Sequence, residues 1–225
     1  MLEWEGKLTS VLFLPGCNLR CPFCHARALV LEPDTIIPVQ FEEIKACLAE
    51  KKGWIDGVCI TGGEPLLHNW LFDLIKDIRK LNFKIMLETN GTLPERLKAL
   101  LDAKIVDYLS MDIKASLSDS GEKYKKATAS NVDTGKIKSS INIIMRSGID
   151  YEFRTTVTPG IVDEADIEDI AKSIEGGRRF CLQQFAPKDT IDPAYLKIKP
   201  YPKSALLEMV KKAGKYVKEA VIRNA

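Results

Sequence analysis

Short runs of apolar, often β-branched residues recur along the chain at Ser10–Leu14, Gly57–Thr61, Lys84–Glu88, Tyr108–Ile113, Tyr151–Thr158 and Phe180–Phe185. Several are apolar nearly throughout, as suits parallel strands covered by helices. Longer amphipathic stretches separate them. Leu67, Trp70, Leu71, Leu74, Ile75, Ile78 and Leu81 fall at helical spacing, as do Ile137, Ile141 and Ile144, and Ile167, Ile170, Ala171 and Ile174. Leu206, Val210, Ala213, Val217 and Val221 continue the pattern and predict a C-terminal helix over about 203–221.

Strands alternating with helices predict a mainly parallel α/β sheet with right-handed crossovers. Six strand–helix units predict an incomplete (β/α)6 barrel of TIM type. Polar and glycine-rich signals sit at the C-terminal ends of strands: a cysteine cluster after the first, Gly62-Gly63-Glu64-Pro65 after the second, Thr89-Asn90-Gly91 after the third. Barrel folds place their active sites at that face. The polar stretch Ala115–Asn131 reads as a loop with a short helix, and Ile191–Tyr201 as extended and Pro-containing; both are expected to be mobile.

The 225 residues suit one domain spanning 1–225, with room for a sizeable core. Apolar residues make up 45% and charged residues 28%, which points to an ordinary globular chain rather than a disordered or fibrous one. A net charge of +2 gives no basic face for a nucleic-acid partner. Lysines gather at Lys123, Lys125 and Lys126 and at Lys211, Lys212, Lys215 and Lys218, but among mixed charges, and read as solvated faces. No apolar run approaches the roughly 20 residues of a membrane helix, and the opening Met1–Lys7 lacks a signal layout. A cytoplasmic location with no membrane partner is expected, and there thiols stay reduced. Of six cysteines, Cys17, Cys21 and Cys24 crowd within the loop 15–26, while Cys47, Cys59 and Cys181 are scattered. That layout predicts one metal site and three core thiols.

Four chemistries compete for Cys17-Asn18-Leu19-Arg20-Cys21-Pro22-Phe23-Cys24-His25. Structural zinc needs four ligands; His25 is too near Cys24 to complete a tetrahedron easily, so a distant fourth would be required. Cys21–His25 matches a c-type haem attachment, which leaves Cys17 without a role. Cys21-Pro22-Phe23-Cys24 could serve as a thiol–disulfide pair, again leaving Cys17 unused. An iron–sulfur cluster normally takes four thiolates. With three, one iron stays open, and an open metal position is the mark of a site that binds substrate.

The C-x3-C-x2-C spacing, with Phe23 before the last cysteine, resembles the signature of the radical S-adenosylmethionine enzymes. Thr61-Gly62-Gly63-Glu64-Pro65 resembles the GGEP segment that ends their second strand. Glycines there admit close approach of a ligand. The whole chain is similar to the activating enzymes of glycyl-radical enzymes, in particular the anaerobic ribonucleoside-triphosphate reductase activating proteins. The blocks that carry this are Leu2–Lys7, Val11–Cys17, Gly57–Leu67 and Cys181–Phe185.

The resemblance implies roles. Cys17, Cys21 and Cys24 would ligate three irons of a [4Fe–4S] cluster, and the fourth iron would take the amino and carboxylate groups of S-adenosylmethionine. Phe23 and the backbone near His25 would lie by the adenine; Gly62, Gly63 and Glu64 would meet the methionine amino group. Glu88-Thr89-Asn90-Gly91 and Asp112-Ile113-Lys114 match segments that line the site in related activases. Some relatives hold a monovalent cation there, for which Glu88, Thr89 and Asp112 are the counterparts, although a relative has Asp where Glu88 stands. Arg154 would help hold the cofactor. Pyruvate formate-lyase activases have a histidine near the last strand; this chain has Gln183-Gln184-Phe185 instead, with Gln184 as a substitute. His68 reads as a helix-start residue, and Cys47, Cys59 and Cys181 as core.

The implied reaction is reductive cleavage of S-adenosylmethionine to methionine and a 5′-deoxyadenosyl radical, which takes hydrogen from a backbone glycine of a partner glycyl-radical enzyme. The reductant implied is a flavodoxin or ferredoxin. Two alternatives stand beside it: a radical enzyme acting on a small molecule, such as a deazapurine-pathway synthase, and a non-catalytic iron–sulfur or redox protein.

Overall fold

A computed structural model describes residues 3–118 and 120–224. Leu2, in the opening block, lies outside the described residues. The strands are β1 (Thr9–Leu14), β2 (Gly57–Gly62), β3 (Lys84–Thr89), β4 (Tyr108–Asp112), β5 (Asp150–Val157), β6 (Arg179–Gln184) and β7 (Glu219–Arg223). The helices are α1 (Arg27–Leu31), α2 (Phe41–Glu50), α3 (Leu71–Lys80), α4 (Pro94–Asp102), α5 (Glu122–Thr128), α6 (Thr134–Arg146), α7 (Glu164–Ser173) and α8 (Lys203–Ala213).

All seven strands form one parallel sheet in the order β1-β2-β3-β4-β5-β6-β7, each beside its sequence neighbour. Among the described residues β1 and β7 do not pair, so the barrel stays open between them. Side chains alternate across a strand. Val58 and Ile60, Ile85 and Leu87, Leu109 and Met111, and Tyr151 and Phe153 join the main core, which also takes Ile75 and Ile78, Leu97 and Leu100, Ile137 and Ile144, and Ile167 and Ile170 from the helices. Each fully buried side chain of this size contributes about 1.5–3 kcal/mol. The other face looks inward and is polar: Thr61, Glu88, Asp112, Arg154, Thr156, Gln183 and Arg223 line the lumen. At the lumen floor a second small core, Trp4, Cys59 and Met86 with Val11 and Tyr108, closes the bottom.

The predicted fold is an incomplete barrel, and the structure has it with one strand more. The apolar spacing over 203–221 suggested a single helix. Instead α8 ends at Ala213, and the chain turns back onto the sheet. Gly176 N–H donates to Tyr216 O (2.8 Å) and Lys218 N–H to Gly177 O (2.9 Å), which steers Val221 into β7. The stretch Ala115–Asn131 holds α5 and buries Ala115, Leu117, Tyr124 and Ala127. Among the described residues no helix is long and apolar enough to cross a membrane.

Candidate functional site

β1 delivers the chain to Gly16, whose φ of +84° turns it into the cysteine loop. Gly16 N–H donates to Leu29 O at 2.7 Å. Leu19, Cys21 and Phe23 point inward and are buried, while Cys17 and Cys24 are half-buried. The loop is tied down from two sides. Arg20 N–H donates to Thr128 O (2.9 Å), and Asp192 N–H donates to Pro22 O (2.9 Å). The two segments expected to be mobile are thus fastened to this loop. All three cysteines are free thiols lining one cavity of about 420 Å³, within the range of small-molecule sites. Burial raises the Cys17 thiol above its usual range and pushes Cys21 up to about 12.

Gly62 and Gly63 form the opposing rim. Gly63 N–H donates to Leu14 O and Glu64 N–H to Gly16 O, both at 2.8 Å. A Cβ on Gly63 would sit 1.9 Å from Gly16 O, and one on Gly62, where φ is +121°, 2.4 Å from Leu14 N. The glycines are therefore required by the backbone of the cysteine loop itself, independently of any ligand.

Glu64 does not line the cavity. Its carboxylate is wholly buried, accepting from Leu66 N–H (3.0 Å), Thr89 Oγ1–H (2.8 Å) and Asn90 N–H (2.7 Å). Burial raises its carboxyl to about 7 against the opposing pull of those donors. It pins the end of β3 to the end of β2. Asn90 continues the tie: its Nδ2 donates to Asn18 Oδ1 (2.9 Å) and towards Cys17 Sγ (3.8 Å).

Glu88, Asp112, Lys114 and Arg154 meet in the lumen. Arg154 Nη2 pairs with Glu88 Oε1, and Thr61 Oγ1–H donates to Glu88 Oε2 (2.7 Å). Lys114 Nζ lies 2.8 Å from Asp112 Oδ2, and Arg154 Nε 3.9 Å from Asp112 Oδ1. Burial would raise the Asp112 carboxyl, but the Lys114 ammonium and the Arg154 guanidinium hold it below its usual range. Beneath them Arg223 from β7 grips the buried Glu152 with two bonds of 2.7 and 2.9 Å. Glu152 and Arg223 escaped sequence reasoning, because their meeting depends on the β5–β6–β7 register and on a strand that was missed.

Among the described residues no group of three or more His, Cys, Asp or Glu side chains is placed to hold a single metal ion. Glu88 and Asp112, two of the residues suggested for a monovalent cation, face the Arg154 guanidinium and the Lys114 ammonium. The residues of the site fit a larger group on three thiols: the free cysteines share a cavity, and a glycine rim approaches their loop where no Cβ has room.

Other expectations sort as follows. Cys59 and Cys181 are buried, but Cys47 is exposed on α2 and is no core thiol. His68 follows a short 3-10 turn rather than starting α3, with Nε2 2.9 Å from Pro15 O and its ring 4.5 Å from Trp70. His25 lines the cavity with Nε2 2.6 Å from Ala186 O, and Phe23 faces Tyr195 at 6.3 Å. Gln184 lines the cavity too; its Nε2 donates to Tyr201 O (2.8 Å), and its buried Oε1 has no protein partner.

The structure is an open parallel barrel with three free thiols on the loop that follows β1, beside a cavity at the C-terminal ends of the strands. The sequence matches the Radical SAM superfamily over residues 11–174, and the chain belongs to that superfamily. It is 34% identical to a protein of Methanocaldococcus jannaschii provisionally named a glycyl-radical enzyme activating enzyme, covering 99% of this chain and 91% of that one. It is 27% identical to a 7-carboxy-7-deazaguanine synthase of Thermococcus kodakarensis, covering 93% and 90%. Among solved structures, Streptococcus suis SuiB bound to S-adenosylmethionine superposes with a TM-score of 0.74 at 16% identity, over 97% of this chain. The chain spans about half the length of SuiB (51%), so that likeness is one of fold.

Proposed function

We propose that this radical SAM enzyme activates a glycyl-radical enzyme such as an anaerobic ribonucleotide reductase, by taking hydrogen from a backbone glycine. The observation that carries the reading is the three free thiols and the glycine rim on one cavity, in a barrel left open between β1 and β7. Bound there, a [4Fe–4S] cluster and S-adenosylmethionine would supply an electron and a 5′-deoxyadenosyl radical. The chain's own part is to bind, orient and exclude water.

In this reading Cys17, Cys21 and Cys24 hold the cluster. Phe23 and His25 flank the adenine, and the carbonyls of Gly62 and Gly63 receive the methionine ammonium. Glu64 acts behind them as the buried tie. Lys114 and Arg154 help hold the cofactor, and Asp112 and Glu88 keep them in place through their ion pairs. The open side admits a glycine loop of the partner, and a flavodoxin or ferredoxin delivers the electron, in the cytoplasm.

The test is anaerobic reconstitution and reduction with S-adenosylmethionine. Release of 5′-deoxyadenosine is expected; none would leave a non-catalytic iron–sulfur protein. Mixing with a reductase encoded nearby should give a glycyl-radical EPR signal that Cys21→Ala abolishes. A second reading, a small-molecule radical enzyme, is favoured by the likeness to the deazaguanine synthase over nearly the whole chain. Formation of a deazaguanine product with no glycyl radical would select it.

A further inference from the structure

Cys17 differs from the other two cysteines in what surrounds its sulfur. Leu19 N–H donates to Cys17 Sγ at 3.4 Å, and Asn90 Nδ2–H points to the same atom at 3.8 Å. Among the described residues no hydrogen bond reaches the sulfur of Cys21 or Cys24. The Asn90 amide is not free to turn over. Its Oδ1 accepts from Thr92 N–H (3.0 Å) and Thr92 Oγ1–H (2.7 Å). The backbone N–H can only donate, so it fixes which end of the amide is oxygen. The Nδ2 end must then face Asn18 Oδ1 and Cys17. Asn18 Nδ2 closes the ring by donating to Thr92 Oγ1 (2.8 Å). The backbone of Asn90 is fixed in turn by the wholly buried Glu64. Asn90 as a residue is only 5% exposed, which limits competition by water for the donor.

A donor held this firmly against a ligand sulfur favours negative charge there. Reducing an iron–sulfur cluster adds one negative charge, spread over its sulfurs, and hydrogen bonds to those sulfurs are among the determinants of its potential. We propose that Asn90 sets the reduction potential of the cluster by donating to the Cys17 thiolate, with Thr92 and Asn18 as positioning residues that hold the amide in that orientation. This rests on the cluster assignment above. It adds that the end of β3 governs how readily the cluster takes its electron. The Asn90 amide needs no contact with S-adenosylmethionine or with the partner to do so.

The test is EPR-monitored redox titration of the reconstituted wild-type, Asn90→Leu and Asn90→Asp proteins, with iron counted in each. Asn90→Leu removes the donor. Asn90→Asp keeps the oxygen that Thr92 needs and replaces the donor with a carboxylate oxygen. Both are expected to shift the midpoint potential to more negative values, Asn90→Asp further. A merely structural role would lower iron content and leave the potential of the loaded fraction unchanged; that result overturns the proposal. So does a wild-type cluster with no exchangeable-deuteron coupling by pulsed EPR after transfer to D2O. A wild-type protein that takes up no iron sinks the cluster assignment itself, whereas normal loading with equal potentials sinks only this inference.

Discussion

Gly63→Ala is the most demanding perturbation of the site, because it adds one carbon where backbone meets backbone. The new Cβ would lie 1.9 Å from Gly16 O and 2.5 Å from Gly16 C, against an ordinary contact of at least 3.4 Å. A carbonyl cannot swing aside as a side-chain tip can, so the two loops must part by more than an ångström. That movement breaks Gly63 N–H to Leu14 O and Glu64 N–H to Gly16 O. Two such bonds contribute about 0.5–1.5 kcal/mol each, and overpacking adds about 1–3 kcal/mol. The expected loss is about 2–6 kcal/mol, or roughly 4–24 °C in Tm for a domain of this size. Because Gly16 leads directly into Cys17, iron uptake should fall with it. Gly16→Ala is the control: its Cβ meets nothing within 4 Å, so only the left-handed φ is penalised, by about 1–2 kcal/mol. Calorimetry and iron counting on both variants check this. A Gly63→Ala protein with wild-type Tm and full iron would refute the claim that the rim glycines serve the loop.

Arg223→Met should cost about 3–5 kcal/mol in urea unfolding, since it strips a bidentate partner from the buried Glu152; an unchanged midpoint would show that Arg154 alone suffices. Glu64, whose carboxyl is raised to about 7 by burial, binds its proton more tightly folded than unfolded. Stability from this group is therefore greatest below its unfolded pKa and declines as pH rises from about 4.5 to 7, by about 3 kcal/mol. The apo protein's Tm should show that slope, Glu64→Gln should flatten it, and parallel profiles would exclude the assignment. Cluster assembly needs thiolates, and Lys114 is the charge that most favours the Cys21 thiolate against its burial. Lys114→Met should shift the pH midpoint of iron uptake upward; no shift would remove Lys114 from that role.

Local pattern carried much of the fold. The six apolar runs all became strands because parallel strands bury one face against helices. β7 was invisible for a specific reason: Glu219-Ala220-Val221-Ile222-Arg223 is short and ends in charge. Its Val221, with Val217, also prolongs the four-residue spacing of α8 by coincidence. α5 hid its buried Tyr124 and Ala127 among lysines. The cysteines and the glycine rim were legible because each motif is contiguous. The reason for the glycines was not, since it depends on where Gly16 O comes to rest. Asn18, Thr92, Glu152 and Arg223 matter through partners 71 to 74 positions away, a relation no local pattern encodes.

The simple strand order bears on how the protein is made. Each strand lies beside its sequence successor, so the sheet can extend in step with a chain leaving the ribosome. The cysteine loop finds its rim as soon as β2 emerges, and Glu64 finds its donors with β3. Glu152 has its closest partner only when Arg223 arrives with the last strand. A chain arrested before β7 would hold the metal-binding corner complete and the charge balance of the lumen unfinished.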